Sequence, residues 1–248
     1  MRIAVCVPFF NEEKCITATL SALLKQRDQN FVVFFCNNNS TDESPAIVRD
    51  FIAANRLDWK LVSETQKGTG AAADTAMRAA AAAGFDVLAR TDADAIPQPN
   101  WIAQIRAAFA DSGVRMLSGI TVPIRSEVTA RQYWIYRIAG VVASVFGTLR
   151  PGNYASGMTS VYVMTNGNNL AIRASTYLEV GGFPRTKIEE QHEDRALVNA
   201  VRAAGYKVRR VRGMRVAVSS RRVKAWGLAN SLRWYKSHFR PTENVDIR

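Results

Sequence analysis

The stretch FDVLARTDADAIPQ, residues 85–98, holds the features that decide the fold and place the site. A short apolar run, FDVLAR, precedes two acids that stand one residue apart, Asp92 and Asp94. In an extended segment alternate side chains point the same way, so both carboxylates can address one ligand. Mg²⁺ and Mn²⁺ prefer oxygen ligands and take only one or two protein carboxylates, so the pair predicts a divalent-cation site. A turn that caps a helix before Pro97 is the alternative interpretation of the tripeptide alone.

Apolar strand patterns alternate with amphipathic helix patterns through the first half of the chain. Runs such as RIAVCVPF (2–9) and FVVFFC (31–36) are continuous, whereas EKCITATLSALLKQ (13–26) has helical spacing. Continuous apolar strands between amphipathic helices predict an α/β fold, a mostly parallel sheet with helices on both faces. The second half is less regular, with a long helix at about 127–149 followed later by two short basic strands, KVRRV and RVAVSS.

Polar loops follow four successive predicted strands. They read PFFNEE (8–13), NNNSTDES (37–44), ETQKGTG (64–70) and TDADAIP (91–97). Ligands of parallel α/β sheets bind beyond the carboxyl ends of the strands, so we expect one site where these loops converge. No glycine-rich dinucleotide loop or P-loop follows the first strand, which argues against a dinucleotide oxidoreductase and a P-loop NTPase. KGTG (67–70) is consistent with a phosphate seat at a helix N-terminus or with a plain tight turn.

Positive charge is concentrated at the C-terminal end. The formal net charge is +12, and residues 205–248 contain twelve Lys or Arg but only two acids. This predicts an anionic partner, a substrate phosphate or anionic lipid, although a solvated basic face also explains the charge. No nucleic-acid-binding module is recognisable, so we expect no nucleic-acid partner.

The cysteines and the hydropathy pattern indicate in which cellular compartment the protein is expected. The three cysteines lack metal-ligand spacing and are odd in number, which indicates a reducing compartment. The longest apolar window, 138–149, has 12 residues, short of the ~20 that span a bilayer. We therefore expect a cytoplasmic protein, soluble or peripheral at the inner face of the cell membrane.

Several motifs, in order and with their spacing, resemble glycosyltransferase family 2, which has a GT-A fold. The motifs are VPFFNEE, NNNSTDES, KGTGAAADTAM, RTDADAIP, NGNNLAIRASTYLEVGGF and HEDRALVNAVRAAGYKV, from about residue 2 to about 220. The resemblance implies a Rossmann-like central sheet and an inverting glycosyltransferase. NSLRW (230–234) has Asn where the processive polysaccharide synthases have the Gln of Gln-x-x-Arg-Trp, which favours a non-processive enzyme. Such an enzyme moves a sugar from a nucleoside-diphosphate sugar to an acceptor hydroxyl, with Mg²⁺ or Mn²⁺ as cofactor. The acceptor is unknown; a glycan and a lipid-linked acceptor are both expected classes.

The resemblance also implies a domain organisation. Residues 1–222 would form the GT-A domain, with a nucleotide-sugar-binding half at 1–115 and a smaller, irregular acceptor-side half at 116–222. Residues 223–248 would form a basic amphipathic helix and tail. That segment mixes aromatic and basic residues, which suits contact with an anionic membrane surface.

The catalytic and metal-binding roles are carried over from the family. The resemblance implies that Asp94 binds the metal, that Asp92 approaches the ribose, and that Asp194 is the general base with Glu193 beside it. Two acids favoured by a helix dipole are the alternative interpretation of Glu193 and Asp194.

The donor-binding residues also come from the resemblance. The expected nucleotide-sugar-binding residues are Pro8, Phe9, Asn11, Glu12, Asn37, Lys67, Gly68, Asp92, Ala93, Gly167, Asn168, Arg221 and Arg222. Asn37 departs from the family, which has an Asp there; Asn both donates and accepts, whereas Asp only accepts. Arg221 and Arg222 are phosphate candidates because a guanidinium binds phosphate oxygens bidentately.

Two other functions remain open at this point. A sugar-phosphate nucleotidyltransferase would need a glycine-rich, basic loop after the first strand, where this chain has the acidic PFFNEE. A non-catalytic basic module that binds anionic membrane is compatible with the charge distribution and could coexist with catalysis.

Overall fold

The computed structural model describes residues 1–149, 153–154, 160–185 and 193–221. Within them lie eight β-strands and seven α-helices. The strands are β1 (Ile3–Phe9), β2 (Phe31–Asn37), β3 (Lys60–Ser63), β4 (Val87–Arg90), β5 (Ala95–Pro97), β6 (Met116–Pro123), β7 (Leu170–Arg173) and β8 (Val208–Val218). The helices are α1 (Ile16–Leu24), α2 (Ser44–Ala54), α3 (Thr69–Ala82), α4 (Trp101–Phe109), α5 (Ala130–Leu149), α6 (Ala174–Glu179) and α7 (Glu193–Ala203). Arg222 and the helix expected at 223–248 lie outside the described residues.

The strands form one sheet in the order β3-β2-β1-β4-β7-β6-β8-β5. Strands β3, β2, β1 and β4 are parallel, and β6 is parallel to β8. Strand β7 runs antiparallel to both β4 and β6, and β5 runs antiparallel to β8. The expected α/β fold with a mostly parallel sheet is therefore confirmed.

Helices cover both faces of the sheet, because the central strands are apolar on both faces. In β1, Val5 and Val7 pack with α1, α2 and α4, while Ala4 and Cys6 pack with α3, α6 and α7. This alternation follows the two-residue period of a strand. A two-sided core holds the strands rigidly and leaves their carboxyl-terminal loops to form a site.

The alanine-rich segment AAADTAMRAAAA (71–82) belongs to α3 and forms a packed helix rather than a low-complexity region. Ala72, Ala73, Ala76 and Ala80 are buried against the sheet. Alanine is the strongest helix former, and its small side chain lets the helix axis approach the strands closely.

The prediction of two short basic strands, KVRRV and RVAVSS, is wrong. Residues Val208–Val218 form one continuous strand, β8, which pairs with β6 across a register shift near Gly119. Gly213, which lies between the two predicted strands, is part of this one strand. A Cβ there would come within 2.2 Å of Gln104 Oε1, so the glycine permits close packing of α4 on β8.

Helix α5 confirms the long helix expected at about 127–149, and none of its residues is buried. In the described part of the chain, no helix combines the length and apolar character needed to cross a membrane.

Candidate active site

The loops after β1, β2 and β3 are joined to one another at the carboxyl edge of the sheet. Asn11 accepts a hydrogen bond from the Thr41 backbone N–H at 2.8 Å, which links the first loop to the second. Asn38 donates to the Gln66 carbonyl at 2.8 Å and accepts from the Gly68 N–H at 2.9 Å, which links the second loop to the third. The convergence expected from the sequence is therefore present.

The Asp-x-Asp turn directly follows β4 and is held from beneath by α1. The buried Thr19 hydroxyl lies 2.7 Å from the Ala93 carbonyl and 2.8 Å from the Ala95 carbonyl. Ala93 is almost fully buried, whereas Asp92 and Asp94 keep 31% and 22% of their side chains exposed. The turn therefore presents its two carboxylates outward on a fixed backbone.

Arg90, the last residue of β4, connects this turn to α7. Its guanidinium is buried and lies 3.4 Å from Asp92 Oδ1 and 3.2 Å from Glu193 Oε1. It stacks on the Phe183 ring at 4.9 Å, and a Cβ on Gly167 would come within 3.0 Å of it. Gly167 is therefore a site of close approach, and Arg90 is the group that approaches it.

Burial alone would lower the pKa of Arg90, but the carboxylates of Asp92 and Glu193 raise it, so the guanidinium stays charged. Its Nη1 is buried and has no hydrogen-bond partner in the described structure. An unpaired buried donor costs about 1–3 kcal/mol, so this N–H is available to a bound ligand or water.

Arg90 was not predicted as a site residue, although it ends the apolar run FDVLAR (85–90) directly before the acidic pair. A charged residue at the end of an apolar strand, in alternation with Asp92 and Asp94, is expected to share their side of the chain. Such a residue needs a partner if it is buried.

Asp194 lies in the first turn of α7, half-buried and facing Gly167. Its Oδ2 accepts a hydrogen bond from the Gly167 N–H at 3.2 Å, and its Oδ1 accepts one from the Arg195 N–H at 2.6 Å. Burial, reinforced by the charge of Glu193, raises the pKa of Asp194 to about 7, against the lowering effect of these hydrogen bonds and of Arg90. A carboxylate with a pKa near neutrality is suited to accepting and releasing a proton at physiological pH.

A second cation, partly buried, lies on the other side of the turn. Arg221 contacts both carboxylate oxygens of Glu12, at 2.5 and 2.7 Å, and lies 3.1 Å from Asp94 Oδ2. Although burial opposes the charge, Glu12 and Asp94 raise the pKa of Arg221, which stays protonated. One guanidinium thus joins the first loop, the Asp-x-Asp turn and the end of β8.

The donor set at the turn fits a magnesium or manganese ion. The partly exposed carboxylate of Asp94 is an oxygen ligand, and such ions complete their shells with water and substrate phosphates. The described residues contain no cluster of three or more His, Cys, Asp or Glu that could enclose a metal. A cation here would therefore depend on a bound phosphate for part of its coordination.

The first-loop residues Pro8 and Phe9 belong to the sheet. Both lie in β1, and the Phe9 side chain is part of the hydrophobic core, 3% exposed. The Phe9 carbonyl accepts a hydrogen bond from the Asn38 N–H at 2.9 Å. The side chain of Phe9 therefore supports the loops from below.

Four other residues expected to bind the nucleotide sugar lie at the same edge. Asn37 Oδ1 accepts from the Ser40 N–H at 2.9 Å, and Asn168 Oδ1 accepts from the Thr121 hydroxyl at 3.0 Å. Lys67 is exposed directly before Gly68, which begins the turn into α3.

A sheet of this order, with an acidic pair after β4 and a second acidic motif at the start of α7, defines the GT-A class of α/β proteins. The Glycosyl transferase family 2 model matches residues 4–168, more than half of the chain, and the protein belongs to that family. No curated protein matches the sequence.

Solved structures show the same fold at low identity. A mannosyltransferase from Pyrobaculum calidifontis, in complex with GDP-Man and Mn²⁺, is 22% identical with a TM-score of 0.65, over 93% of this chain and 64% of that one. TarS 1-349 of S. aureus is 18% identical with a TM-score of 0.62, over 89% of this chain and 61% of that one. Glucosyl-3-phosphoglycerate synthase from Mycobacterium tuberculosis, with Mn²⁺ and UDP, is 16% identical with a TM-score of 0.58, over 97% and 81%. The chain thus spans less than two thirds of the first two.

Proposed function

We propose that this protein is an inverting, non-processive glycosyltransferase that transfers a sugar from a nucleoside-diphosphate sugar to an acceptor hydroxyl. The observation that carries the proposal is the bridge through Arg90. It holds Asp92 of the Asp-x-Asp turn and Glu193, the neighbour of Asp194, on one buried cation. Donor-side and acceptor-side acids are thereby fixed at one edge of the sheet.

In this proposal the donor lies across the carboxyl edge of β1, β2 and β4. Arg221 would bind the diphosphate bidentately, and Asp92 would face the ribose. Asp94 would hold the Mg²⁺ or Mn²⁺ ion, which when bound neutralises charge on the departing diphosphate. The other proposed donor contacts are Asn11, Glu12, Asn37, Lys67, Gly68, Gly167 and Asn168, and the buried residues Pro8, Phe9 and Ala93 are proposed to support them from below.

Asp194 would act as the general base. Its carboxylate removes the proton of the acceptor hydroxyl while that oxygen attacks the anomeric carbon from the face opposite the diphosphate. The bond between the anomeric carbon and the diphosphate oxygen breaks, and the nucleoside diphosphate leaves with the electron pair. Glu193 supports the base by anchoring α7 to Arg90. The acceptor is proposed to be a glycan or a lipid-linked hydroxyl compound.

The test replaces Asp194 by Asn and measures two quantities. Transfer is followed with a panel of UDP- and GDP-sugars in the presence of Mn²⁺ or Mg²⁺, and nucleotide binding is followed separately by calorimetry. We expect transfer to fall by about 10²–10⁴-fold, the usual contribution of a general base, with nucleotide binding unchanged. Asp50→Asn, on the exposed face of α2, is the matched control. Transfer close to wild type in Asp194→Asn would refute the assigned role.

A further inference from the structure

Helix α5 presents an apolar face to solvent that the proposed function does not use. The face consists of eight large side chains, each at least 39% exposed. They are Trp134, Ile135, Ile138, Val141, Val142, Val145, Phe146 and Leu149. We call these residues the α5 face. Residues 134, 138, 141, 145 and 149 recur every three or four positions, so they form one stripe along the helix.

Exposure of this extent is unusual for a helix of a globular domain. Val142 and Phe146 are 61% and 66% exposed, and Leu149 is 72% exposed. Single exposed apolar residues need no explanation, but contiguous patches of several hundred Å² mark interaction sites. The opposite side of the helix is packed, since a Cβ on Gly147 would lie 3.5 Å from the Tyr162 ring. The α5 face is therefore the outer face of a docked helix.

The charges around this face are all positive along the helix. Arg131 and Arg137 are the only charged residues of α5, and Arg125 precedes it. Arg125 stacks on Tyr133 at 4.5 Å, and Arg137 stacks over the ring of a face residue, Trp134, at 6.0 Å. An apolar stripe bordered by arginines and aromatic rings complements the headgroup region of an anionic bilayer. A second copy of the chain would instead bring the same positive charges to the contact.

The position of α5 relative to the site fits such a surface. Glu127, three residues before the helix, accepts hydrogen bonds from the Ser220 N–H at 2.7 Å and from the Ser219 hydroxyl at 3.1 Å. Arg221, which contacts Asp94, is the next residue. The N-terminal end of α5 therefore begins beside the candidate active site.

We propose that the α5 face binds the surface of an anionic lipid bilayer, with the helix lying in the interface rather than crossing it. The side chains of the face enter the acyl boundary, and the arginines contact lipid phosphates. This binding does not depend on catalysis, so it stands or falls separately from the proposed transferase activity.

The test uses the full chain and vesicles of phosphatidylglycerol with phosphatidylcholine, compared with phosphatidylcholine alone. We expect wild type to sediment with the anionic vesicles only. Ile138→Glu combined with Val145→Glu should lower the bound fraction at least about tenfold, because two apolar side chains no longer insert. Leu178→Glu, at an equally apolar exposed position on α6 (49% exposed), should leave binding within about twofold.

A charge series and a variant-free measurement complete the design. Arg131→Gln with Arg137→Gln should weaken binding by about fivefold per arginine, whereas Arg49→Gln on α2 should not. Amide hydrogen exchange on wild type should slow in residues 130–149 when anionic vesicles are added. Vesicle binding that survives the glutamate pair overturns the proposal. The proposal is also overturned if the wild-type chain is a dimer in solution and the glutamate pair dissociates that dimer without changing vesicle binding.

Discussion

Arg90 Nη2 lies 3.2 Å from Glu193 Oε1, a contact between residues 103 positions apart in the chain. The same guanidinium contacts Asp92, so one buried cation sets the separation of the Asp-x-Asp turn and α7. A buried charge is tolerated only where it is paired, and here both partners belong to candidate functional motifs. The position of the buried Arg90 side chain therefore fixes the positions of Asp92 and Glu193 in the candidate site.

Replacing Arg90 should impair turnover more than donor binding. We expect Arg90→Lys, which keeps the charge but loses the forked contact with Asp92 and Glu193, to lower kcat by about tenfold to a hundredfold with a smaller change in KM. Steady-state kinetics with a donor and acceptor identified in the transfer panel measures this.

A pH profile separates positioning from general damage at the same residue. Arg90 lowers the pKa of Asp194, so Arg90→Gln should move the acidic limb of activity to higher pH, while Arg90→Lys should leave it in place. An equal loss at every pH in both variants would show that Arg90 acts on stability alone.

The wild-type pH profile should report the raised pKa of Asp194. A general base acts when ionised, so kcat/KM should rise about tenfold per unit of pH below pH 7 and level off above it. Glu193 raises this pKa, and Glu193→Gln should therefore shift the limb to lower pH. Glu43→Gln, an exposed change beside α2, is the control and should leave the limb unmoved. A limb that stays in Asp194→Asn belongs to another group.

Asp94 should determine metal affinity in the presence of nucleotide. Asp94→Asn removes a carboxylate ligand, and we expect the Mn²⁺ concentration for half-saturation to rise at least about tenfold. Electron paramagnetic resonance of Mn²⁺ with UDP or GDP measures this without relying on activity. Asp58→Asn, whose side chain is 80% exposed, should behave as wild type. Unchanged Mn²⁺ binding in Asp94→Asn would exclude Asp94 as the ligand.

Local patterns predicted most of the sheet and the edge on which the site lies. Continuous apolar runs correctly placed β1 and β2, and polar loops correctly predicted the converging edge. The two short strands predicted in this region are one strand, β8, in which Gly213 allows close packing against Gln104. The structural role of a glycine in a strand depends on which residue packs against it, and that residue can be distant in the sequence.

The electrostatics of the site could not be predicted in the same way. The Arg221–Glu12 pair joins residues 209 positions apart, and no local period relates them. The motifs identified the acids and Arg221, but neither Arg90 nor the pairing of Arg221 with Glu12 and Asp94. An arginine at the end of an apolar strand, such as Arg90 at the end of β4, is a sequence signal for such a pair. If that arginine is buried, it must be paired with a carboxylate elsewhere in the fold.

Asp74 should be the acid on which stability depends most. Its carboxylate is fully buried in α3. It accepts hydrogen bonds from the Arg78 Nε–H at 2.9 Å and from the Tyr177 hydroxyl at 2.8 Å, and it lies 3.2 Å from Arg185 Nη1. Asp74→Ala removes one of the acceptors of Arg78 and of Arg185, and the acceptor of the buried Tyr177 hydroxyl. We expect the free energy of unfolding in urea to fall by about 1–3 kcal/mol, chiefly because the buried Tyr177 hydroxyl loses its acceptor. Asp50→Ala, exposed on α2, should change it by less than about 0.5 kcal/mol. A loss below about 1 kcal/mol in Asp74→Ala would show that water replaces the carboxylate, and that this network contributes little net stability.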